Sequence, residues 1–245
     1  MNRYYYDLHI HSCLSPCGDE DMTPNNIVGM GILNGLNIMA LTDHNTCKNC
    51  PAFYKAAERQ GIIPVVGMEL TTAEDIHAVC LFPQLESAME FDLFVQNHRI
   101  LIPNRTDIFG FQYITDENDK IIGEELNLLS NATDIMIDDA YEIVSSFGGI
   151  CYPAHVDRES NSIIATLGIF PEYSSFEIAE FNNRNKIDEY NVKYPSLNNK
   201  IKIVSSDAHY LWNIKEKNDY FEIDDEPYNS EIVRKRLFEI LGGEK

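Results

Sequence analysis

The sequence predicts an α/β fold, a distorted seven-stranded (β/α)7 barrel, and three observations carry that prediction. Seven short apolar runs rich in β-forming residues recur along the chain. Helix-start and helix-stop residues punctuate the stretches between several of them, the alternation that parallel β/α units need. Seven such units fit 245 residues better as a closed barrel than as an open sheet.

The elements follow in chain order. Tyr5 to Ile10 reads as the first strand. Thr23-Pro24, then Ile27, Val28, Met30, Ile32 and Leu33, then Gly35, reads as N-cap, N1 proline, apolar face and terminating glycine of a helix. Ile38 to Thr42 is the second strand, Pro51 to Gln60 closed by Gly61 a second helix, and Ile63 to Met68 and His77 to Phe82 the third and fourth strands. Ala140, Ile143, Val144 and Phe147 before Gly148-Gly149 place a helical stripe ahead of the fifth strand, Ile150 to Ala154. Phe176 to Phe181 and Ile201 to Ser205 complete the strands, and a helix around Glu231 to Leu241 ends the pattern. The alternation breaks over about 82–135, where Pro83, Pro103, Gly110 and Gly123 mix with aromatic and acidic residues. That stretch is expected to be an insertion after the fourth strand, on the side of the active-site loops, inside a single domain of residues 1–245.

Composition narrows the function. Hydrophobic residues make up 44% of the chain, enough for a full core. Lys plus Arg total 19 against 39 Asp plus Glu, a formal charge of -20 that repels phosphate backbones, so no extended nucleic-acid partner is expected. No apolar run approaches the roughly 18 residues of a membrane span, and no signal-like segment follows Met1, so the expectation is a cytoplasmic protein without a membrane partner. Six cysteines in such a chain read as reduced thiols or ligands.

The polar chemistry gathers at strand boundaries. His9 and His11, two apart at a strand end, point to one face and can share a metal. Asp43-His44 ends the second strand, Glu69 the third, His155 the fifth and Asp207-Ala208-His209 the seventh, while His77 begins the fourth and enters from the loop side. One barrel mouth makes neighbours of all of them. A single histidine after a strand is usually structural; so many together argue for a metal centre.

These residues also resemble a known family. Asp7-Leu8-His9-Ile10-His11-Ser12, Leu41-Thr42-Asp43-His44-Asn45-Thr46, Pro64 to Glu69, Pro153-Ala154-His155 and Ser205-Ser206-Asp207-Ala208-His209 together look like the motifs of the PHP (polymerase and histidinol phosphatase) superfamily. The resemblance implies a distorted seven-stranded barrel with two or three divalent metal ions. It implies that His9, His11, Glu69 and Asp207 hold one metal, that Glu69 bridges to a second held by His77 and His155, and that His44 and His209 hold a third with an acid of the first loop. Asp19, four residues before Thr23, is the acid that matches the family loop; this loop is longer than the family's, and Asp21 is its rival.

Mixed imidazole and carboxylate donors suit Zn, Mn or Fe. The implied chemistry is phosphoester hydrolysis by in-line attack of a metal-bridging hydroxide. Asp43 is expected to orient His44 or a neighbour as a catalytic positioning group, and Arg158 to bind phosphate, with Arg184 a second candidate. His98, Arg99 and Arg105 fall in the insertion and read as solvated surface. Cys13, Cys17, Cys47 and Cys50 flank two ligand loops; a thiolate zinc site or redox pair is one reading of them, ordinary reduced thiols the other. The function expected is a phosphatase acting on a small phosphorylated metabolite or nucleotide. A nuclease with the same metals and a metal-binding module without turnover are the alternatives.

Overall fold

A computed structural model describes residues 1–172, 175–226 and 228–242. Its strands are β1 (Asn2–Asp7), β2 (Ile38–Leu41), β3 (Ile63–Thr71), β4 (His77–Phe82), β5 (Tyr113–Thr115), β6 (Ile121–Glu124), β7 (Ile150–Pro153), β8 (Ile178–Phe181), β9 (Ile201–Val204) and β10 (Tyr220–Ile223). Its helices are α1 (Pro24–Leu33), α2 (Cys50–Gln60), α3 (Leu85–Gln96), α4 (Thr106–Phe109), α5 (Ile137–Ser146), α6 (Ile163–Leu167), α7 (Ile187–Lys193) and α8 (Ser230–Ile240). Each apolar run of the sequence forms a strand, although β1 stops at Asp7 and β3 runs on to Thr71.

The main sheet has the order β10-β1-β2-β3-β4-β7, and β8 and β9 pair in parallel as a separate ribbon. That ribbon's exit returns to the first strand's exit through the parallel bridge between Ile10 and Ala208, where His11 N donates to Ala208 O at 2.9 Å. The sheet is therefore curled, as a half-barrel. Alternate residues of the strands separate into two cores. Met39, Leu41, Val66, Met68 and Phe82 pack with helical residues such as Ile27, Phe53, Phe91 and Val144. Ile38, Ala40, Val65, Val79, Leu81 and Tyr152 face the other way, against Val233, Leu237 and Phe238 of α8.

The structure departs from a uniform β/α repeat in three places. First, β4 runs antiparallel to both β3 and β7. Only Thr72 to Ile76 separates β3 from β4, too short for a crossover helix, and a turn with Thr72 N donating to Ile76 O at 2.9 Å makes the pair a hairpin. Second, β10 adds an antiparallel edge to β1, held by contacts between Tyr5 and Tyr220 and between Tyr6 and Phe221. Third, the stretch expected to be wholly an insertion begins with a regular helix, α3, which buries Ala88, Phe91 and Val95. Its apolar residues surround much of its circumference and its N-cap, Gln84, makes no side-chain cap, so neither periodicity nor punctuation marks it.

The irregular part is confined to 97–136. It lies over the loops that follow β1 and β2: Tyr113 N donates to Cys13 O at 3.0 Å, Asn49 Nδ2 to Tyr113 O at 3.1 Å and Asn45 Nδ2 to Leu129 O at 2.7 Å. It walls the mouth beside the ligand loops.

Two glycines matter locally. Gly61 ends α2 at φ +82, which L side chains adopt at a cost. Gly67, in the middle of β3, lies so close to β4 that a Cβ there would sit 2.0 Å from Cys80 O. Gly67→Ala is therefore expected to lower the free energy of unfolding by about 1–3 kcal/mol. A urea midpoint equal to that of the wild type would contradict the close approach of β3 and β4.

Candidate metal centre

Strand ends bring the candidate ligands together. The antiparallel β4 explains His77, which stands at that strand's first residue, paired with Thr71 of β3, and so at the same end of the sheet as Glu69. Glu69 is the hub, buried at 1% exposure. Its Oε1 lies 2.8 Å from His77 Nδ1, 2.9 Å from His155 Nε2 and 3.4 Å from His9 Nε2, and its Oε2 lies 3.0 Å from His44 Nδ1 and 3.2 Å from His11 Nε2. Asp207 Oδ1 stands 3.2 Å from His11 Nε2 and 3.5 Å from His9 Nε2, and the His209 ring stacks on His11 with centroids 4.2 Å apart. Three groups have donor atoms close enough to share an ion: His9, His11, Glu69 and Asp207; His44, Glu69 and His77; and His11, His44 and His209.

The donors fit divalent cations better than they fit each other. His44 Nδ1, His155 Nδ1, Glu69 Oε2 and Asp207 Oδ1 are buried without a hydrogen-bond partner. Such orphans are costly unless something binds them. His155 and Asp207 also hold φ of +28° and +52°, where non-glycine residues cost about 1–3 kcal/mol each. Strain and orphaned polar atoms at the same residues mark a site shaped for binding.

Charge follows the geometry. Burial opposes ionising Glu69, but His77, His9 and His44 outweigh it and hold the carboxyl well below its ordinary range. Burial likewise opposes protonating His11, yet the Asp207 and Glu69 carboxylates facing it raise it to about 9. Burial lowers His44 to about 4, and burial with the neighbouring His11 charge lowers His209 to about 3. The pocket thus keeps protons on some imidazoles and leaves others free to bind.

Supporting residues orient these donors. Glu180, fully buried in β8, receives His9 Nδ1 at 2.8 Å and the backbone N–H of His155 at 3.3 Å. The sequence reading missed it; the available signal was an acid inside an otherwise apolar strand. Asp43 accepts from Ser12 N at 2.7 Å, Ser12 Oγ at 2.6 Å and Ser15 Oγ at 2.7 Å, and Ser15 Oγ lies 2.9 Å from His11 Nδ1. Asp43 therefore acts on His11 through Ser15, whose Oγ also accepts from the His44 backbone N–H at 3.2 Å.

The remaining candidates separate. Arg158 reaches the centre, paired with Asp207 and half-exposed. Arg184 pairs instead with Asp219, beside Lys215, and contacts no candidate ligand among the described residues. Asp19 joins none of the three groups; its carboxylate accepts from Asp21 N at 3.0 Å, and Asp21 is exposed. The first-loop side chain that faces His44 is Cys17, with Sγ 3.3 Å from His44 Nε2. The four loop thiols do not converge: Cys47 and Cys50 both donate to Gly67 O, and Cys13 points to Tyr113 O. His98 pairs with Asp134 and Arg105 with Asp107, outside the centre.

Comparison with known proteins identifies the family. The PHP domain family model matches residues 7–223. A 5'-3' exoribonuclease from Haemophilus influenzae is 35% identical over 79 residues, which cover 31% of this chain and 28% of that protein. The chain thus spans well under two thirds of that relative. A lesion-specific endonuclease from Pyrococcus furiosus has the fold with a TM-score of 0.65 at 17% identity, covering 96% of this chain and 55% of the other. A Bifidobacterium adolescentis protein assigned as a metal-dependent phosphoesterase aligns at a TM-score of 0.59 and 16% identity, covering 96% of both chains.

One expectation is corrected here. The net charge argued against an extended nucleic-acid partner, but the same fold occurs in endonuclease Q, solved with a 27-mer duplex whose abasic lesion lies at the active site, at a TM-score of 0.55 and 16% identity over 86% of this chain and 50% of that one. Contact with phosphates is decided at the mouth, and charge summed over the whole surface is a poor guide to it.

Two outcomes follow from the centre. Glu180→Gln removes the charge behind His9 and is expected to weaken metal binding about 10–100-fold, read by titration with a competing chelator; unchanged affinity would remove Glu180 from the site. Bound metal requires neutral imidazole, whereas His11 keeps its proton up to about pH 9 in the metal-free protein. Metal affinity should therefore climb as pH rises from 6 to 9, with proton release on metal addition measurable in weakly buffered indicator solution.

Proposed function

We propose that this chain, which belongs to the PHP domain family of metal-dependent hydrolases, hydrolyses a phosphoester carried by a nucleotide, either free or at the end of a strand. The observation that carries the reading is the convergence of six histidines, Glu69 and Asp207 on one mouth with unsatisfied donor atoms. Divalent ions bound there would activate water and screen the phosphoryl charge.

The chain's own residues supply the rest. Glu180 orients His9, and the Asp43 to Ser15 relay orients His11. The ion pair with Asp207 holds the Arg158 guanidinium at the centre, where its remaining N–H donors can bind phosphoryl oxygens. Water gives up a proton as it adds to phosphorus, the ester P–O bond breaks, and the leaving alkoxide takes up a proton, so that ester and water become alcohol and phosphate.

A nucleotide is favoured by an aromatic pair beside the mouth. Tyr210 and Trp212 follow His209 directly in the chain and stack with centroids 4.9 Å apart, although 39% and 73% exposed. Each ring keeps exposed surface on which another flat group can stack, and a nucleobase is one. The segment 97–136 that walls the mouth favours a second reading, a small phosphorylated metabolite without a base.

Phosphate release from protein loaded with Mn, Zn or Fe, over free nucleotides, 5'-phosphorylated oligonucleotides and sugar phosphates, tests both. His44→Ala and His155→Ala should abolish turnover. Trp212→Ala should weaken transition-state binding for nucleotide substrates by about 1–3 kcal/mol while sparing a sugar phosphate. No turnover with any metal, despite stoichiometric loading, would sink the hydrolase reading, and an equal loss on both substrate types would favour the baseless metabolite.

A further inference from the structure

One buried carboxylate beside the centre is not among its candidate ligands. Asp7 ends β1 two residues before His9, is wholly buried and belongs to none of the three ligand groups. Its two oxygens take different parts of the chain: Oδ1 accepts from the Ser206 backbone N–H at 3.0 Å and Oδ2 from the Lys215 backbone N–H at 3.4 Å. Burial pushes the carboxyl up, and the nearby Lys215 ammonium opposes that shift. The ammonium in turn donates to Val204 O and reaches Asp219 Oδ2 at 3.1 Å, so it ties down the end of β9 as well.

Ser206 and Lys215 are the two ends of one loop, and that loop carries Asp207, His209, Tyr210 and Trp212. The β8–β9 pairing closes with Ser205 N donating to Phe181 O at 3.1 Å; the next donor, Ser206 N, turns to Asp7 and so leads the chain from β8 toward β1. Asp207 follows at φ +52°, a conformation that persists only where its surroundings impose it. The loop's carbonyls are met by other segments: Ala208 O by His11 N and His209 O by Asp19 N, both at 2.9 Å, and Ile214 O by Asn34 Nδ2 at 2.7 Å. The N–H groups at its neck go to Asp7. A carboxylate with both oxygens used in this way closes the base of the loop as a pair of backbone bonds closes a hairpin.

We propose that Asp7 is a positioning residue: by joining Ser206 to Lys215 it closes the neck of the 206–215 loop and sets Asp207 and His209 in place to bind metal. Without it, two backbone N–H groups lose their acceptor, the Lys215 ammonium loses a counter-charge and the strained Asp207 loses a restraint. The effect is selective. Two of the three ligand groups include a residue of this loop, whereas His44, Glu69 and His77 include none. The inference rests on the metal-centre reading above, and its test separates the two.

Trp212 is the single tryptophan of the chain, so its fluorescence reports on this loop directly. In the full chain, Asp7→Ala should lower the Trp212 anisotropy and weaken, about 10–100-fold, the binding of Co(II) that depends on Asp207 and His209, while one ion held by His44, Glu69 and His77 stays. Asp7→Asn keeps an oxygen acceptor for Ser206 N and should recover most of both losses. Amide exchange of the wild type needs no variant: the Ser206 and Lys215 N–H groups should exchange as slowly as the amides of β1 and β9. Wild-type anisotropy and cobalt affinity in Asp7→Ala, equal weakening of every cobalt site, an Asp7→Asn no better than Asp7→Ala, or fast exchange at Ser206 would each overturn the assignment. A wild type that binds no cobalt would overturn the metal reading and leave anisotropy and exchange to judge Asp7.

Discussion

One buried carboxylate organises this molecule. Glu69 has five imidazoles within 3.4 Å of its two oxygens, contributed by the segments after β1 and β2, by the start of β4 and by the end of β7. An isolated buried carboxylate would be protonated; this one is held ionised by the histidines around it, and its charge in turn keeps protons on His11. Removing any one strand end would leave the others with uncompensated charge in a dry interior. The fold around it can therefore be understood as a means of delivering these side chains to one point, with Gly67 letting β3 and β4 approach closely enough to do it.

Much of this was legible in the chain because strand geometry is rigid. A residue's face in a strand is set by period two, so His9 and His11 could be assigned to one side, and the end of an apolar run marks where a ligand will emerge. Loops have no such period. Counting back from Thr23 reached Asp19, whereas the turn at Gly18 leads the Asp19 carboxylate back to Asp21 N, a choice made by backbone contacts with Ser12 and His209 that spacing does not encode. Glu180 stayed hidden for a related reason: its partner, His9, is 171 residues away. Strand β10 escaped notice because it is an edge, with Tyr220 and Glu222 exposed and little apolar pattern to read. The direction of β4 was recoverable in principle, since five residues between β3 and β4 cannot hold a crossover helix.

Charge was the least transferable clue. A total of -20 describes the whole surface, while the mouth carries protonated imidazoles, Arg158 and donors suited to divalent cations. A bound cation is usually the largest local charge in its site and can set the sign of the field that a phosphate meets. An acidic exterior also discourages adsorption of polyanions elsewhere, which sharpens selection at the mouth.

The β3–β4 hairpin has a consequence for assembly of the protein. Glu69 and His77 lie eight residues apart and come together through a local turn. Asp207 and His209, by contrast, reach the first strand only when the chain's far end closes on it through Ile10 and Ala208. Contacts of low sequence separation form early and those that close long loops form late. An ion held by Glu69 together with Asp207 would therefore tie the exit of β9 to the first strand and to the β3–β4 hairpin at once. The ligand set would then serve as the clasp of the curled sheet.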